Sequence, residues 1–294
     1  MWTENLLSNF DYLMALNRLG GRSFNDRSRY PLFPWVIGDF VSDDFRLNNR
    51  RQARELGLSI GAVGRQRRDR AQERYTAMRQ KSRQLQRPFH FSCYVSTPGQ
   101  VISFYIRAVP ALVVTLQSCA FGPSDRVFRG FPQLWTGMAA GRTQPAELIP
   151  EFYCPGRAEL LLNTHRLELG QATSDESVDD AKLAKWAVGP IDFLARMRAA
   201  LESDHVSVNL HLWIDLVFGC MSRGDAAVAA FNVYPEVCDA TALSLDPFMS
   251  DLKKEALALC IHEFGQLPRQ LFHESHPQKR ILLPSLGGEN HSHQ

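Results

Sequence analysis

The chain has 294 residues, of which 45% are hydrophobic and 22% charged, and a formal net charge of +2 at pH 7. This length allows one large domain or two small ones, and the composition is that of an ordinary globular protein. The N-terminus lacks the features of a signal peptide, and no stretch reaches about 18 uninterrupted apolar residues. The 6 cysteines are irregularly spaced without a CxxC pair, which indicates reduced cytosolic thiols rather than a zinc site or disulfide framework. We expect a cytoplasmic chain without cofactors.

The first forty residues predict one helix followed by an irregular segment. Apolar residues recur at helical spacing within 5–19, and a Gly-Gly pair then ends the pattern. Residues 21–40 mix five aromatic residues with Asn, Asp and Ser, and two prolines bias the residues before them towards extended conformations. We predict a segment anchored by buried aromatic side chains. Its backbone polar groups should be satisfied by nearby side chains, namely Arg22, Ser23, Asn25 and Asp26.

Residues 57–61 read GLSIG, a formal match to the G-x-S-x-G turn that presents a nucleophilic serine. That turn needs a hydrophobic strand before it, whereas Ser59 follows the polar stretch RRQARELGL. The sequence therefore favours a structural serine. A hydrolase that uses Ser59 is kept as part of an alternative function.

A basic segment follows at residues 65–87, where 8 Arg and 1 Lys stand beside only 2 acidic residues. Its pattern is compatible with a helix, and a solvated helix face is favoured over a binding surface. Contact with the phosphate groups of an anionic membrane is the functional interpretation, and nucleic acid is not predicted as a partner. The candidate residues for this contact are Arg67, Arg68, Arg70 and Arg74.

Two carboxylates in the middle of the chain, Glu147 and Glu151, are four residues apart in the stretch PAELIPEFYCPG. They could serve acid–base chemistry, although this spacing on a short turn is more typical of surface or capping residues. Before them, residues 88–97 predict an extended segment, and Pro98 begins a helix that ends before the next proline. After them, residues 171–182 predict an exposed acidic loop.

The strongest helical pattern lies in VSVNLHLWIDLVFGCMSR (206–223). Apolar residues recur at i, i+3, i+4, i+7 and i+8, and Leu212 and Leu216 fill the opposite side. We therefore predict a helix buried on nearly all sides at the centre of the domain. His211 and Asp215 share one face and could form an acid–base or ligand pair. A mutually satisfied core pair is favoured, because no nucleophile or metal-ligand cluster lies nearby in sequence.

The C-terminal part predicts two further helices, one from Pro190 and one over residues 247–264. His262 and Glu263 begin a zinc-protease HExxH pattern, but Gln266 stands where the second histidine is needed. No phosphate-binding loop, dinucleotide fingerprint, EF-hand, kinase motif or internal repeat is present in the sequence. The residues alone therefore predict a mostly helical single domain with a recognition surface.

Eleven short stretches in order carry a family resemblance. They are SNFDYLMALN (8–17), GRSFND (21–26), YPLFPWV (30–36), RYTA (74–77), PFH (88–90), ELIPEF (147–152), ALES (200–203), LHLWIDLVFG (210–219), RGDAA (223–227), FGQLPRQLF (264–272) and HP (276–277). With these stretches the chain resembles a BEACH domain. The resemblance spans residues 8–280, and WIDL (213–216) is its most recognisable motif.

The resemblance implies a mostly α-helical BEACH-type domain with irregular extended segments in its core, over residues 1–280, followed by a flexible tail at 281–294. The family is not known for an enzymatic activity. Its members are large cytosolic scaffolds that act in vesicle trafficking, membrane fusion or fission, lysosome-related organelles and autophagy. We therefore expect this chain to be cytoplasmic, with peripheral contact to endomembranes. The implied motif and core residues are Asn9, Arg22, Ser23, Asn25, Asp26, Trp35, His211, Trp213, Ile214, Asp215 and Leu216.

The sequence departs from the family pattern at several loops, for example at Arg27 and at Tyr94, which stand where the family usually has an apolar residue and a histidine. Family members usually carry a PH-like domain before the BEACH domain and WD40 repeats after it. We expect the PH-like domain to be absent from this chain, which leaves an apolar, partly exposed patch near the N-terminus. Its candidate residues are Trp2, Phe10, Tyr30 and Phe33.

The expected function is therefore that of a non-catalytic scaffold domain that binds a PH-like domain and trafficking proteins. A hydrolase that uses Ser59 or the pair of His211 and Asp215 is the alternative function.

Overall fold

Helices dominate the computed structural model, which describes residues 1–47, 49–81, 87–112, 127–170, 177–240 and 250–280. The α-helices within these ranges are α1 (Asn9–Leu19), α2 (Arg65–Gln80), α3 (Pro98–Tyr105), α4 (Phe131–Ala139), α5 (Pro190–Leu201), α6 (Asp204–Val217), α7 (Gly224–Ala229) and α8 (Asp251–Phe264). Short 3₁₀ helices lie at Arg27–Arg29, Ile60–Ala62, Pro150–Tyr153, Pro155–Leu160, Cys220–Ser222 and Glu236–Cys238. The predicted fold class, a mostly α single domain, is confirmed.

Three of these helices begin where a hydroxyl side chain caps the first turn. Ser8 accepts a hydrogen bond from the amide of Asp11 at 3.0 Å, and Thr97 accepts one from Gln100 at 3.2 Å. Ser203 caps α6 in the same way. Such a cap satisfies an amide that has no partner inside the helix and stabilises it by about 1 kcal/mol. These caps fix the beginnings of α1, α3 and α6, and the predicted helix at Pro98 is confirmed.

Helix α6 lies at the centre of the core, as its apolar pattern predicts. The side chains that the 3.6-residue period places together are fully or nearly fully buried, whereas His211 and Leu212 are half-buried. The buried members are Val206, Leu210, Trp213, Ile214, Asp215, Leu216 and Val217. A helix with so wide an apolar surface is stable only when other elements surround it.

The segment 21–40 is irregular and its aromatic side chains are mostly buried, which confirms the prediction. Trp35, for example, packs edge-on against Phe40 and Phe131, with ring centroids 5.4 and 5.9 Å apart. Within the described ranges, extended segments of the backbone form isolated β-bridges, and one of these bridges joins Phe33 to Leu148. Their two amides donate to each other's carbonyls at 2.8 and 2.9 Å. Buried backbone in the segment is therefore satisfied largely by distant parts of the chain.

The C-terminal helix α8 begins at Asp251, four residues after its predicted start, and the intervening residues 247–249 lie outside the described part. Its outer face carries exposed Leu252 and Leu259. The predicted tail at 281–294 and residues 171–176 of the predicted acidic loop also lie outside the described residues. The domain boundary at residue 280 therefore stays a prediction.

Candidate functional site

The motif tryptophan Trp213 is joined to a buried ion pair. Its indole Nε1 donates to Oε1 of Glu147 at 2.9 Å. The amide of Trp35 donates to Oε2 at 3.1 Å, and Nη1 of Arg54 lies 2.9 Å from both oxygens. The side chains of Arg54 and Glu147 are only 1% and 2% exposed. Both oxygens of this buried carboxylate therefore receive hydrogen-bond donors from inside the protein.

This ion pair was not visible in the sequence. The spacing of Glu147 suggested a surface or capping residue. It is neither, because the chain around it enters the core and meets Trp213. Its counterion, Arg54, lies in the polar stretch RRQARELG, whose composition suggests a solvated loop. Nη2 of Arg54 also donates to the carbonyl of Leu58 at 3.0 Å, which fixes the loop before α2.

Arg22 joins the loop after α1 to the chain after α8. Its Nε donates to the carbonyl of Tyr30 and its Nη1 to that of Gln266, both at 2.6 Å. The guanidinium also lies 5.6 Å from the centre of the Tyr94 ring. Burial lowers the pKa of Arg22 to about 10, which still leaves it charged at neutral pH. The two motifs GRSFND and FGQLPRQLF therefore meet through this one side chain.

The polar residues that follow Arg22 act locally. Ser23 Oγ accepts from the amide of Asn25 at 3.1 Å, and Asp26 Oδ1 accepts from the amide of Ser28 at 2.9 Å. The side chains of Ser23 and Asn25 are exposed. The expectation that these side chains satisfy backbone groups of the loop is correct for Arg22, Ser23 and Asp26. It is wrong for Asn25, whose exposed side chain makes no such hydrogen bond in the described part of the chain.

Asn9 connects both ends of the described chain to the core. Its Oδ1 accepts from Nε1 of Trp2 at 2.9 Å and from Nζ of Lys279 at 3.1 Å. Its Nδ2 donates to the carbonyl of Leu201 at 2.7 Å and to Oγ of Ser207 at 2.8 Å. An asparagine side chain offers one acceptor and two donors, and all of them are used here.

A second buried carboxylate, Glu151, has a different environment from Glu147. Its Oε1 accepts from the hydroxyl of Tyr30 at 2.8 Å, and that hydroxyl lies 2.9 Å from the hydroxyl of Tyr105. Oε2 is buried and has no hydrogen-bond partner among the described residues. Burial is the main cause that raises the pKa of Tyr30 well above its ordinary value, and the negative charge of Glu151 raises it further. We call Glu151, Tyr30, Tyr105 and the neighbouring Phe24 the Glu151 cluster.

A family model described as Beige/BEACH domain matches residues 1–279 of the chain. The chain belongs to the BEACH domain family. It is 39% identical over 282 residues to Beige protein homolog 1 of Saccharomyces cerevisiae (strain ATCC 204508 / S288c). Over 283 residues it is 37% identical to Beige protein homolog 1 of Schizosaccharomyces pombe (strain 972 / ATCC 24843). Each alignment covers 95% of this chain but only 13% and 11%, respectively, of the relatives. The chain thus spans about an eighth of their length.

His211 and Asp215 do not form the pair that the helical spacing suggested in this BEACH domain. Oδ1 of Asp215 accepts instead from the backbone amide of His276 at 2.9 Å. Nδ1 of His211 is buried without a hydrogen-bond partner in the described part of the chain. Nε2 of His276 lies 2.6 Å from the hydroxyl of Tyr12, and burial lowers the pKa of His276. The prediction of a satisfied pair is wrong because Asp215 faces the C-terminal segment, whose free amide it satisfies.

Ser59 of the BEACH domain is buried and does not lie on a nucleophile turn. Its hydroxyl donates to Oδ1 of Asn232 at 3.4 Å. Asn232 in turn donates to the carbonyl of Leu216 at 2.6 Å. The residues after Ser59 form the 3₁₀ helix Ile60–Ala62. No histidine of the described residues hydrogen-bonds to this serine, which fits the interpretation as a structural serine.

The predicted exposed patch of aromatic residues is wrong for three of its four members. Trp2, Tyr30 and Phe33 are only 3%, 5% and 0% exposed. Trp2 is covered because it stacks on Tyr12 at 4.8 Å. Only Phe10 is half-buried, and the guanidinium of Arg198 lies 4.1 Å from its ring centre. The large apolar residues that are exposed in the described part lie elsewhere, at Met1, Leu6, Leu19, Phe24, Val41, Leu47, Val109, Val188, Ile191, Leu252 and Leu259.

The basic helix α2 uses part of its charge inside the domain. Arg67 is buried and donates to the carbonyl of Met138 at 2.8 Å, so its assignment to an anionic contact is wrong. Arg74 is exposed but donates from Nη1 to the carbonyl of His90 at 2.9 Å. At about 100° per residue, the outward face of the helix carries Asp69 and Glu73. Arg68 and Arg70 lie on the two flanks of α2 and stay predictions for that contact.

No described helix has both the length and the apolar character needed to cross a bilayer. In the same ranges, no three side chains of His, Cys, Asp or Glu come together as a group that could hold a metal ion.

Proposed function

We propose that this BEACH domain is a non-catalytic recognition module of a larger cytoplasmic scaffold protein that acts in vesicle trafficking, membrane fusion or fission, lysosome-related organelles or autophagy. Its partners are a PH-like domain and trafficking proteins. The observation that carries the proposal is that the polar motif residues have structural roles. Asn9, Arg22 and Asp215 each join distant parts of the chain, and Ser59 hydrogen-bonds to an asparagine instead of a base.

The non-catalytic part is tested by turnover assays on an ester, a phospholipid and a nucleoside triphosphate. We expect the wild-type domain and Ser59→Ala to give the same background rate. Ser222→Ala is the matched control, because Ser222 is a buried serine whose hydroxyl donates to the carbonyl of Gly219 at 2.7 Å. Turnover that Ser59→Ala abolishes and Ser222→Ala preserves would show that the domain is an enzyme.

The recognition part is tested by sedimentation of the domain with a separately purified PH-like module from a BEACH protein. Co-sedimentation as a one-to-one complex is the expected result. If the domain sediments as a free monomer at all concentrations of the added module, the proposed partner is wrong.

Peripheral contact with an anionic membrane rests on Arg68 and Arg70, which have no ion-pair partner in the described part of the chain. We expect binding to phosphatidylserine vesicles that weakens as salt screens the charges. The double variant Arg68→Gln/Arg70→Gln should reduce this binding. Lys253→Gln/Lys254→Gln removes the same charge from exposed positions of α8 and should have little effect. Equal losses of vesicle binding in the two double variants would show that binding depends on net charge alone and not on Arg68 and Arg70.

A further inference from the structure

We propose that the Glu151 cluster is a binding site for the cationic head of a lysine or arginine side chain of a partner protein. The inference rests on the proposed recognition function and specifies one contact of it. The site combines a buried carboxylate that lacks a complete set of hydrogen-bond donors with three aromatic rings, one of which reaches the surface. Each component is described in turn.

Among the described residues, the carboxylate of Glu151 has no counterion. The residue is 9% exposed, and a buried carboxylate normally has a charged partner or several donors. The two arginines that act electrostatically on this region have other partners. Arg157 lies 3.1 Å from Glu159, and Arg198 lies 3.1 Å from Glu202. Oε2 of Glu151 is a buried acceptor that forms no hydrogen bond among the described residues, and the hydroxyls of Tyr30 and Tyr105 lie beside the carboxylate.

In the Glu151 cluster, the ring of Tyr30 stands nearly at right angles to the two other rings. Phe24 and Tyr30 are 5.5 Å apart at 84°, and Tyr30 and Tyr105 are 6.1 Å apart at 75°. Phe24 is 49% exposed and Tyr105 is half-buried, so the cluster opens to the surface. Aromatic faces attract cations, and perpendicular rings beside a carboxylate are the arrangement found in sites that bind ammonium groups.

The chemistry of Oε2 favours a protein side chain over a lipid headgroup. An acceptor without a donor needs an N–H group, which a quaternary choline group lacks. The primary amine of an ethanolamine headgroup has N–H groups but is attached to a phosphate, whose negative charge would approach Glu151. Lysine and arginine carry their donors at the end of a long apolar stem and have no such anion. Such a stem can pass Phe24 and Tyr105 and reach a buried oxygen.

Because Oε2 is covered, a cation reaches it only when a neighbouring side chain turns aside. Tyr105 is suited to this movement, because it is half-buried at the end of α3 and its hydroxyl bonds to another side chain instead of the backbone. The bound cation would then donate to Oε2 while Tyr30 still donates to Oε1. Charge-assisted hydrogen bonds of this kind are about twice as strong as neutral ones.

The test is an NMR titration of the whole domain with N-acetyl-lysine methylamide and N-acetyl-arginine methylamide. The uncharged isostere N-acetyl-norleucine methylamide is the control ligand. We expect the charged probes to shift the ring signals of Phe24 and Tyr105 and the norleucine probe to leave them unchanged. Equal shifts with all three probes, or no shift with any of them, would overturn the proposal.

Variants assign the binding to the Glu151 cluster. Glu151→Gln should weaken binding of the lysine probe about tenfold, since a charge-assisted hydrogen bond is lost. Glu159→Gln removes a half-buried carboxylate close in sequence and should leave binding unchanged. If Glu151→Gln does not fold, Phe24→Ala decides the matter, because this exposed ring can be removed without disturbing the core and should also weaken binding. Wild-type affinity in both Glu151→Gln and Phe24→Ala would refute the site.

Two further arms separate this inference from the proposed function. If a PH-like module binds wild-type domain and Glu151→Gln equally well and the lysine probe does not bind, the recognition function stands and the Glu151 site fails. If the lysine probe binds through Glu151 and the PH-like module does not bind at all, the site stands and that partner fails. Binding to phosphatidylcholine or phosphatidylethanolamine vesicles that depends on Glu151 would contradict the choice of a protein ligand.

Discussion

Glu147 and Glu151 lie four residues apart in one motif and are both buried, yet the protein treats them in different ways. Glu147 receives Arg54, the indole of Trp213 and a backbone amide. Glu151 receives one tyrosine hydroxyl, and its second oxygen has no partner in the described chain. Burial is nearly the same, so burial does not distinguish the two. The two carboxylates differ in the number and charge of their hydrogen-bond donors.

The difference shows how a conformationally fixed core can contain a binding site. A carboxylate whose two oxygens both receive donors inside the chain, as in Glu147, gains nothing from a partner and resists change. A carboxylate with an incomplete set of donors keeps a free energy of desolvation that only an incoming donor can recover. Removing Glu147 therefore destabilises the fold, whereas Glu151 contributes little to stability and can increase the affinity of the domain for a cation.

The largest expected effect comes from removing the charge of Glu147. Glu147→Gln leaves Arg54 as a buried cation without its counterion and should lower the free energy of unfolding by about 3–5 kcal/mol. Denaturant unfolding followed by tryptophan fluorescence measures this change. Glu159→Gln, which breaks a largely solvated ion pair, should cost less than about 1 kcal/mol. Similar values for the two variants would show that the central ion pair has no structural role.

Low pH should lower the stability of the domain through a second buried polar group with an incomplete set of hydrogen-bond partners, the side chain of His90. Its Nδ1 accepts from the amide of Val233 at 3.3 Å, whereas its Nε2 is buried without a partner in the described residues. Burial lowers the pKa of His90 to about 4. When the pH falls below about 6.5, the ordinary pKa of histidine, the unfolded chain binds a proton at His90 that the folded chain does not bind. The free energy of unfolding therefore decreases by about 2 kcal/mol between pH 7 and pH 5.

This acid sensitivity is measured as the difference in unfolding free energy between pH 7 and pH 5. His90→Gln cannot take up a proton in this range and should reduce the difference by about 2 kcal/mol. His165→Gln replaces an exposed histidine and serves as the control. A pH dependence that is identical in wild type and His90→Gln would contradict the assignment.

Asp215 belongs with Glu147 in the comparison, because the chain supplies its donor. Asp215→Ala leaves the buried amide of His276 without an acceptor and should cost about 1–3 kcal/mol. Asp204→Ala, at an exposed position in the first turn of the same helix, should cost about 1 kcal/mol or less. An Asp215→Ala variant as stable as wild type would show that the C-terminal segment is held by other contacts.

The smallest effect on stability is expected at Glu151. Glu151→Gln keeps the shape of the side chain, removes an uncompensated charge and should change the free energy of unfolding by less than about 1 kcal/mol, in either direction. The same denaturant experiment as for Glu147→Gln measures it. A loss of several kcal/mol would mean that Glu151 is as essential to the fold as Glu147, and the contrast between them would disappear.

The sequence predicted those features that depend on local pattern. The wide apolar surface of α6 and the proline-delimited aromatic segment 21–40 predicted both elements correctly, because periodicity and φ restrictions act within a few residues. The family stretches predicted the fold class. The interpretation of Ser59 as a structural serine is also in line with its partner, Asn232.

Long-range pairing was beyond this kind of reasoning. Arg54 and Glu147 are 93 positions apart, and no periodicity relates them. Trp2 was expected at the surface, but Tyr12 and the rest of the N-terminal contacts cover it. The His211–Asp215 pair failed for the same reason, because the competing donor comes from 61 positions further along the chain. The Glu151 cluster unites residues from three separate segments and leaves no pattern in any one of them.

The hydrogen bonds of Asn9 also determine when during synthesis the fold can be completed. Its partners Leu201 and Lys279 lie 192 and 270 positions further along the chain. At about 5–20 residues per second, a ribosome needs roughly 15 to 50 seconds to make the segment that separates Asn9 from Lys279. During that interval Trp2 and the apolar face of α1 lack their final cover and are open to chaperones. A nascent chain that stops before Lys279 would leave the first helix it made without this closing contact.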